Sequence, residues 1–214
     1  MDQQEFPLDG SDPGPAPRRR IRLDPRWGLV GLCLLVACSL LVIILQNRRE
    51  QSHDGVILAA ATRYQLPPAL VKAVVWQESR FDAKARGGAG EIGLMQISKL
   101  AAQEWAESEA LSAFEHRQLF DPKKNTLAGS WYLKKLLSRY AHTDQPLAYA
   151  LADYNAGRKN VLRWIKGPAA QQSTLFLDQI DFPSTRRYVL SVMQRYQHYS
   201  QKAPPMGGTS PPSS

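Results

Sequence analysis

Leu66-Pro67-Pro68-Ala69-Leu70-Val71-Lys72-Ala73-Val74-Val75-Trp76-Gln77-Glu78-Ser79 is the stretch on which the reading of this chain turns. Leu66-Pro67 stops whatever precedes it, because the residue before a proline is driven out of the helical region. Pro68 suits the first turn of a new helix, where its missing N–H costs nothing. Val71, Val74, Val75 and Glu78 then recur at helical spacing. This predicts an apolar helix with a single carboxylate at its end, next to Trp76 and just before Phe81. A carboxylic acid near apolar and aromatic groups is costly to ionise, so its pKa rises. It then stays protonated near neutral pH, as a general acid must.

Two further strings complete the pattern. Gly93-Leu94-Met95-Gln96 ends 18 positions after Glu78. Gly90 and Gly93 let the backbone approach a ligand closely, and Gln96 brings an amide donor and acceptor suited to sugar hydroxyls or N-acetyl groups. Tyr154-Asn155-Ala156-Gly157 supplies a ring to stack on a sugar face and a second amide. Each string has a plain structural alternative: a surface Glu ending a helix, a loop-to-helix junction, a glycine helix stop. Together, in this order, they suit glycosidic-bond cleavage with one acid.

The surroundings read as helix. Asp54 caps a helix to about Gln65, and Arg86 to Gly90 is a Gly-rich loop. A helix is expected from about Leu94 into Trp105. Asp121-Pro122 opens another, with Leu133, Leu136, Leu137 and Tyr140 on one face. Pro146 starts one that stops at Asn155-Ala156-Gly157, and Pro183-Ser184 starts the last, through Tyr188, Val192 and Tyr196. No stretch alternates as a strand over five or more residues. The fold class is mainly α, a single helical domain over residues 55–200.

The apolar content of 43% and mean hydropathy of −0.36 exclude a polytopic membrane protein. Residues 55–200 carry nineteen Lys and Arg against twelve Asp and Glu, which favours a polyanionic partner. Nucleic acid, an anionic membrane and an acidic wall polymer all satisfy that. Cys33 and Cys38 lie outside this domain, so disulfides do not stabilise it. His53, His116, His142 and His198 lack ligand spacing, and no metal site or cofactor is expected.

Residues 27–45 form an uncharged apolar run of 19 residues, close to the roughly 20 needed to span a bilayer. Arg18, Arg19, Arg20, Arg22 and Arg26 precede it, while Arg48 and Arg49 follow it beside Glu50. That excess places the N-terminus in the cytoplasm and the domain outside. Leu35-Val36-Ala37-Cys38 resembles a lipobox, with Cys38 as the lipidated residue, but the apolar run continues past it and the preceding polar segment is long for a signal peptide. An uncleaved anchor is the preferred reading. Residues 1–26 and 201–214 read as disordered tails, and residues 46–54 as a linker reaching roughly 30 Å if extended.

The chain resembles the lytic transglycosylase domain of bacterial cell-wall enzymes, of the soluble lytic transglycosylase type, related to goose-type lysozyme. The resemblance covers about residues 56–200. It is carried by the Leu66 to Val74 stretch, Glu78-Ser79-Arg80-Phe81-Asp82, Gly93-Leu94-Met95-Gln96, Asn125 with Gly129 and Tyr132-Leu133, Tyr154-Asn155-Ala156-Gly157 and Phe182-Pro183-Ser184-Thr185-Arg186-Arg187-Tyr188-Val189. It implies a lysozyme-like domain in which Glu78 is the one catalytic acid. Glu78 would protonate the β-1,4 bond between N-acetylmuramic acid and N-acetylglucosamine, then take the proton of the sugar's 6-hydroxyl as a 1,6-anhydro ring closes. Such substrate-assisted chemistry escapes the two-carboxylate rule of most glycosidases. The resemblance also implies that Gln96, Tyr154, Asn155 and Tyr188 line the substrate cleft. Ser79 joins this substrate-binding set, its position suiting support of the helix end.

The chain departs from the family at Gly87, where Ser is frequent, at Ser98-Lys99, where Met-Pro is frequent, and at Asp153, usually a small residue. Glu91 lies between the first two motifs. As a second carboxylate about 6.5–9.5 Å from Glu78 it would activate water for inverting hydrolysis, with Asp82 and Asp153 as weaker candidates. The expected partners are peptidoglycan glycan strands and the inner membrane, with a place in secretion or cell-wall machinery; the expected location is the inner membrane, with the domain in the periplasm. Nucleic acid is excluded by the lack of a helix-turn-helix pattern and by the anchor. The alternatives are a lysozyme-like muramidase and a non-catalytic wall-binding scaffold.

Overall fold

Proline decides where five of the helices begin. Pro25, Pro68, Pro122, Pro146 and Pro183 each stand first in a helix, where the fixed φ is already helical and no hydrogen bond is lost. In this computed structural model, which describes residues 25–202, the order is α1 (Pro25–Gln51), α2 (Asp54–Arg63), α3 (Pro68–Ser79), α4 (Lys99–Ser108), a 3-10 turn (His116–Phe120), α5 (Pro122–Arg139), α6 (Pro146–Ala156), α7 (Arg158–Trp164), a second 3-10 turn (Gly167–Ala170), α8 (Ser173–Gln179) and α9 (Pro183–Lys202). The only extended pairing among the described residues is two isolated antiparallel bridges, Arg86 with Ile92 and Ile92 with Ile97. The fold is therefore mainly α, as expected.

The chain divides into two units, residues 1–44 and 45–214. In the first, α1 carries leucine, valine and isoleucine on every side, from Leu29 to Ile44, all exposed. A helix apolar all round is a membrane span or a buried core element, and this one is long and apolar enough to cross a bilayer. Most of the expected tails at residues 1–26 and 201–214 lies outside the described residues. Residues 46–51, in the first part of the expected linker, are helical, so they do not take the extended form on which the roughly 30 Å reach was reckoned. Arg49 Nε donates to the carbonyl of Phe81 at 3.3 Å, and its guanidinium pairs with Asp82 at 3.1 Å. These bonds hold the last turn of α1 to the loop after α3.

In the second unit α6 runs through the middle. Ala148, Tyr149, Ala150, Leu151, Ala152 and Asp153 are buried in succession, which only a helix enclosed on all sides allows. α5, α7, α8 and α9 pack on it, and α3 packs along α9 and α2. Leu70, Val71, Ala73, Val74 and Val75 of α3 are buried, which brings the last turn of α3 to the edge of the core.

Two expected boundaries move. Asp54 does not cap α2; it is the first helical residue, and its carboxylate accepts from Lys72 at 2.7 Å. The helix expected from Leu94 begins only at Lys99, where the Ser98 hydroxyl caps it by accepting from the Ala101 N–H at 3.2 Å. Residues 93–97 are instead a tight loop, with Gly93 at φ +80° and Gln96 at +48°. A distant side chain imposes this: fully buried Asn125 on α5 accepts from the Met95 N–H at 2.7 Å and donates to the carbonyls of Ile92 and Leu119, each at 2.8 Å. One turn along α5, Gly129 makes room for Met95, whose Sδ would lie 2.3 Å from a Cβ added there. α7 and α8 answer to no expected element.

Candidate active site

Glu78 sits in the last turn of α3, which ends with Arg80 in the left-handed region at φ +51°. The chain then reverses, and the loop of residues 86–97 returns against the helix end. Ser79 fixes that contact by donating to the Leu94 carbonyl at 2.8 Å. Its hydroxyl proton is thus committed to the main chain, which fits support of the helix end and leaves its place in the substrate-binding set without a donor.

Tyr188 of α9 crosses to the same point and donates to Glu78 Oε1 at 2.5 Å. Burial pushes the Glu78 pKa up to about 7; the Tyr188 hydrogen bond opposes the rise, and the negative charge of Glu91 adds to it. Because Oε1 is occupied as an acceptor, the proton of neutral Glu78 resides on Oε2. Burial, reinforced by the Glu78 charge, holds the phenols of Tyr188 and Tyr154 well above their ordinary pKa, so both remain donors.

Of the other expected residues, Tyr154 lies within reach of the Glu78 charge. Tyr154, near the end of α6, donates to the Met95 carbonyl at 2.8 Å, with its ring 5.5 Å from that of Tyr132. Gln96 is half-buried, and its Nε2 donates to the Gly93 carbonyl at 2.8 Å. Asn155 is exposed, and its Oδ1 accepts from Thr185 at 2.8 Å. Thr185 is buried and had no role in the sequence reading beyond its place in the Phe182 to Val189 string. Its position in the first turn of α9, three residues before Tyr188, was the available signal.

The three other carboxylates separate clearly. Asp153 is buried, pairs with Arg139 at 2.6 Å and accepts from Tyr140 at 2.7 Å, an internal ion pair that ties α5 to α6. That explains the departure from a small residue and removes it as a candidate base. Asp82 accepts from the Lys84 N–H at 3.0 Å and pairs with Arg49; the backbone bond first, then Arg49, keeps its pKa below the ordinary carboxylate value. Glu91 alone reaches the Gln96 side of the site. A Cβ added at Gly87 would lie 2.3 Å from Glu91 Oε2 and 2.9 Å from Gln96 Oε1, so the two acceptors flank the same glycine. The Ala89 N–H holds Glu91 Oε2 at 3.1 Å. Among the described residues no group of His, Cys, Asp and Glu is placed to hold a metal ion. The hollow of about 480 Å³ at the end of α1 shares no residue with this site.

The chain is similar to known proteins. The sequence profile of the Transglycosylase SLT domain matches residues 55–177. The soluble lytic murein transglycosylase of Escherichia coli is 26% identical over 157 residues, 72% of this chain and 24% of its own length. A putative soluble lytic murein transglycosylase of Haemophilus influenzae is 31% identical over 158 residues, 73% of this chain and 26% of its own. Among solved structures, an inactive Glu-to-Gln mutant of the lytic transglycosylase Slt from Pseudomonas aeruginosa superposes with a TM-score of 0.64 at 29% identity, covering 71% of this chain and 24% of that one. The chain thus spans about a quarter of the length of these relatives. With the helical fold and more than half of the residues matched, the chain belongs to the Transglycosylase SLT domain family.

Proposed function

We propose that this protein is a membrane-anchored peptidoglycan lytic transglycosylase that cleaves the β-1,4 bond between N-acetylmuramic acid and N-acetylglucosamine. The observation that carries the reading is Glu78, half-buried, with its pKa pushed up to about 7 by desolvation and bonded through Oε1 to Tyr188. A group with that pKa gives and takes a proton with similar ease near neutral pH. Neutral Glu78 protonates the bridging oxygen from Oε2 as the bond to the anomeric carbon breaks. The resulting carboxylate, held by the Tyr188 phenol, then accepts the proton of the 6-hydroxyl. Oxygen 6 bonds to the anomeric carbon, the 1,6-anhydro ring closes without water, and Glu78 regains its proton. Gln96, Tyr154 and Asn155 are assigned to the glycan on either side of the acid.

The anchor is assigned to residues 27–45, with the arginine-rich N-terminus in the cytoplasm and the domain in the periplasm. Curated relatives include a membrane-bound lytic murein transglycosylase F, 35% identical over 105 residues. The test is mass spectrometry of fragments released from purified peptidoglycan by the full chain and by Glu78→Gln. Anhydro-ended fragments from the wild type alone support the assignment. Reducing ends would mean hydrolysis and point to Glu91 as the base; wall binding without fragments would mean a scaffold.

A further inference from the structure

The first residues beyond the proposed span form one wall of a basic groove. Gln46, Asn47 and Arg49 line a cavity of about 470 Å³ together with Trp76, Arg80 and Arg195. The Arg80 guanidinium carbon lies 3.1 Å from the centre of the Trp76 ring, and that of Arg195 lies 3.6 Å from it. Two carbons this close to one ring centre must approach from opposite faces, so the indole is clasped between two cations. Stacking uses the face of a guanidinium and leaves its in-plane N–H donors free. Arg80 spends one of them on the Trp76 carbonyl at 2.9 Å, and neither Arg80 nor Arg195 forms an ion pair among the described residues. Burial, then the charge of Arg195, pulls the Arg80 pKa below its ordinary value, as expected of two cations lacking an anion. The acid on the groove wall, Glu50, faces Lys72 at 3.9 Å. Gln46 directly follows Leu45, the last residue of the apolar run, and the Arg49 bonds to Phe81 and Asp82 keep the groove at that point.

We propose that this groove takes the phosphate headgroups of an anionic bilayer and seats the domain on the membrane face from which α1 emerges. Guanidinium forks match phosphate oxygens, tryptophan favours the bilayer interface, and basic residues beside a span are drawn to anionic lipid. The proposal rests on the anchor assigned above. A domain held in this way works on glycan strands close to the membrane, consistent with the helical residues 46–51.

The test uses the full chain, with Cys33→Ser and Cys38→Ser, in lipid nanodiscs. A nitroxide is attached through Gln194→Cys, on the α9 surface that adjoins Trp76 and Arg195. Its collisions with a nickel-chelating lipid headgroup are read by electron paramagnetic resonance. Collisions should be several-fold more frequent with phosphatidylglycerol than with phosphatidylcholine alone, and the contrast should collapse in high salt. Arg80→Gln with Arg195→Gln should lower the docking equilibrium constant roughly 30-fold, since each basic residue near an anionic surface contributes about fivefold; the salt arm decides the matter if that variant folds poorly. Equal collisions in both lipids, with the protein retained in the disc, overturn the headgroup site alone. Protection of the nitroxide by soluble wall fragments with free carboxylates, and not by lipid, reassigns the groove to the substrate. A chain that fails to stay with the disc overturns the anchor and this proposal with it.

Discussion

Replacing Glu78, the proposed catalytic acid, should make the domain more stable, and only above acidic pH. Glu78 titrates at about 7 in the folded protein against 4.5 for an unconstrained glutamate, chiefly because burial penalises its charge. A gap of about 2.5 units at 1.36 kcal/mol each comes to roughly 3 kcal/mol. Between pH 4.5 and 7 the folded state keeps a proton that the unfolded chain has released, so stability falls as pH rises through that window. Below it both states are protonated and nothing is lost; above it the full cost is present. Glu78→Gln cannot ionise and escapes the cost, while its amide oxygen still accepts from Tyr188. Unfolding of the full chain in detergent micelles, followed by tryptophan fluorescence, should show the variant drawing ahead of wild type by roughly 3 kcal/mol between pH 4.5 and 8.5. In a domain of about 150 residues that is ~6–12 °C in Tm. A gap between the two proteins that does not change with pH would refute the reasoning, since it would mean that the carboxylate is not destabilised by its site.

The other groups around Glu78 should move its titration in opposite directions. Tyr188→Phe removes the bond that favours the carboxylate, so the alkaline limb of kcat/KM on purified peptidoglycan should shift to higher pH; Glu91→Gln removes a like charge and should shift it to lower pH. Limbs that move together, or not at all, would break the electrostatic account. Asn125→Ala strands a buried N–H and two carbonyls and should cost about 3 kcal/mol in denaturant unfolding. Activity should fall further than stability, because the same three bonds shape the Gly93–Gln96 turn.

How much of this was legible follows from how local each cause is. The starts of α3, α5, α6 and α9 are written in their prolines, and the apolar run of α3 placed Glu78 at a helix end beside the core. Tyr188 could be joined to Glu78 only through the family resemblance, since 110 positions separate them in the chain. The helix expected from about Leu94 gives way to a turn at residues 93–97 because the force that bends it comes from Asn125 on another helix, beyond the reach of any local pattern. Asp153 gave no reason for its charge until Arg139 and Tyr140 appeared beside it. α7 and α8 are each seven residues long, too short for a periodic pattern to declare itself.

Gly87 and Glu91 were the two odd residues of the loop after α3, and in space each accounts for the other. Glu91 Oε2 occupies the place where any side chain at position 87 would begin, and the Gly87 N–H donates to the Glu91 carbonyl at 2.7 Å, closing the loop around that contact. A Cβ at position 87 therefore has to displace the Glu91 carboxylate and nudge the Gln96 amide, both at the ends of flexible side chains, which is cheap in stability. It is not cheap in electrostatics, because the displaced charge is one that raises the Glu78 pKa. Gly87→Ala should thus shift the alkaline limb of the pH–rate profile to lower pH with little change in melting. In a Glu91→Ala background the same substitution should shift nothing further, the non-additivity expected of two residues acting through one contact. Shifts that add in the double variant would show that Gly87 acts on the site by a route other than the Glu91 carboxylate.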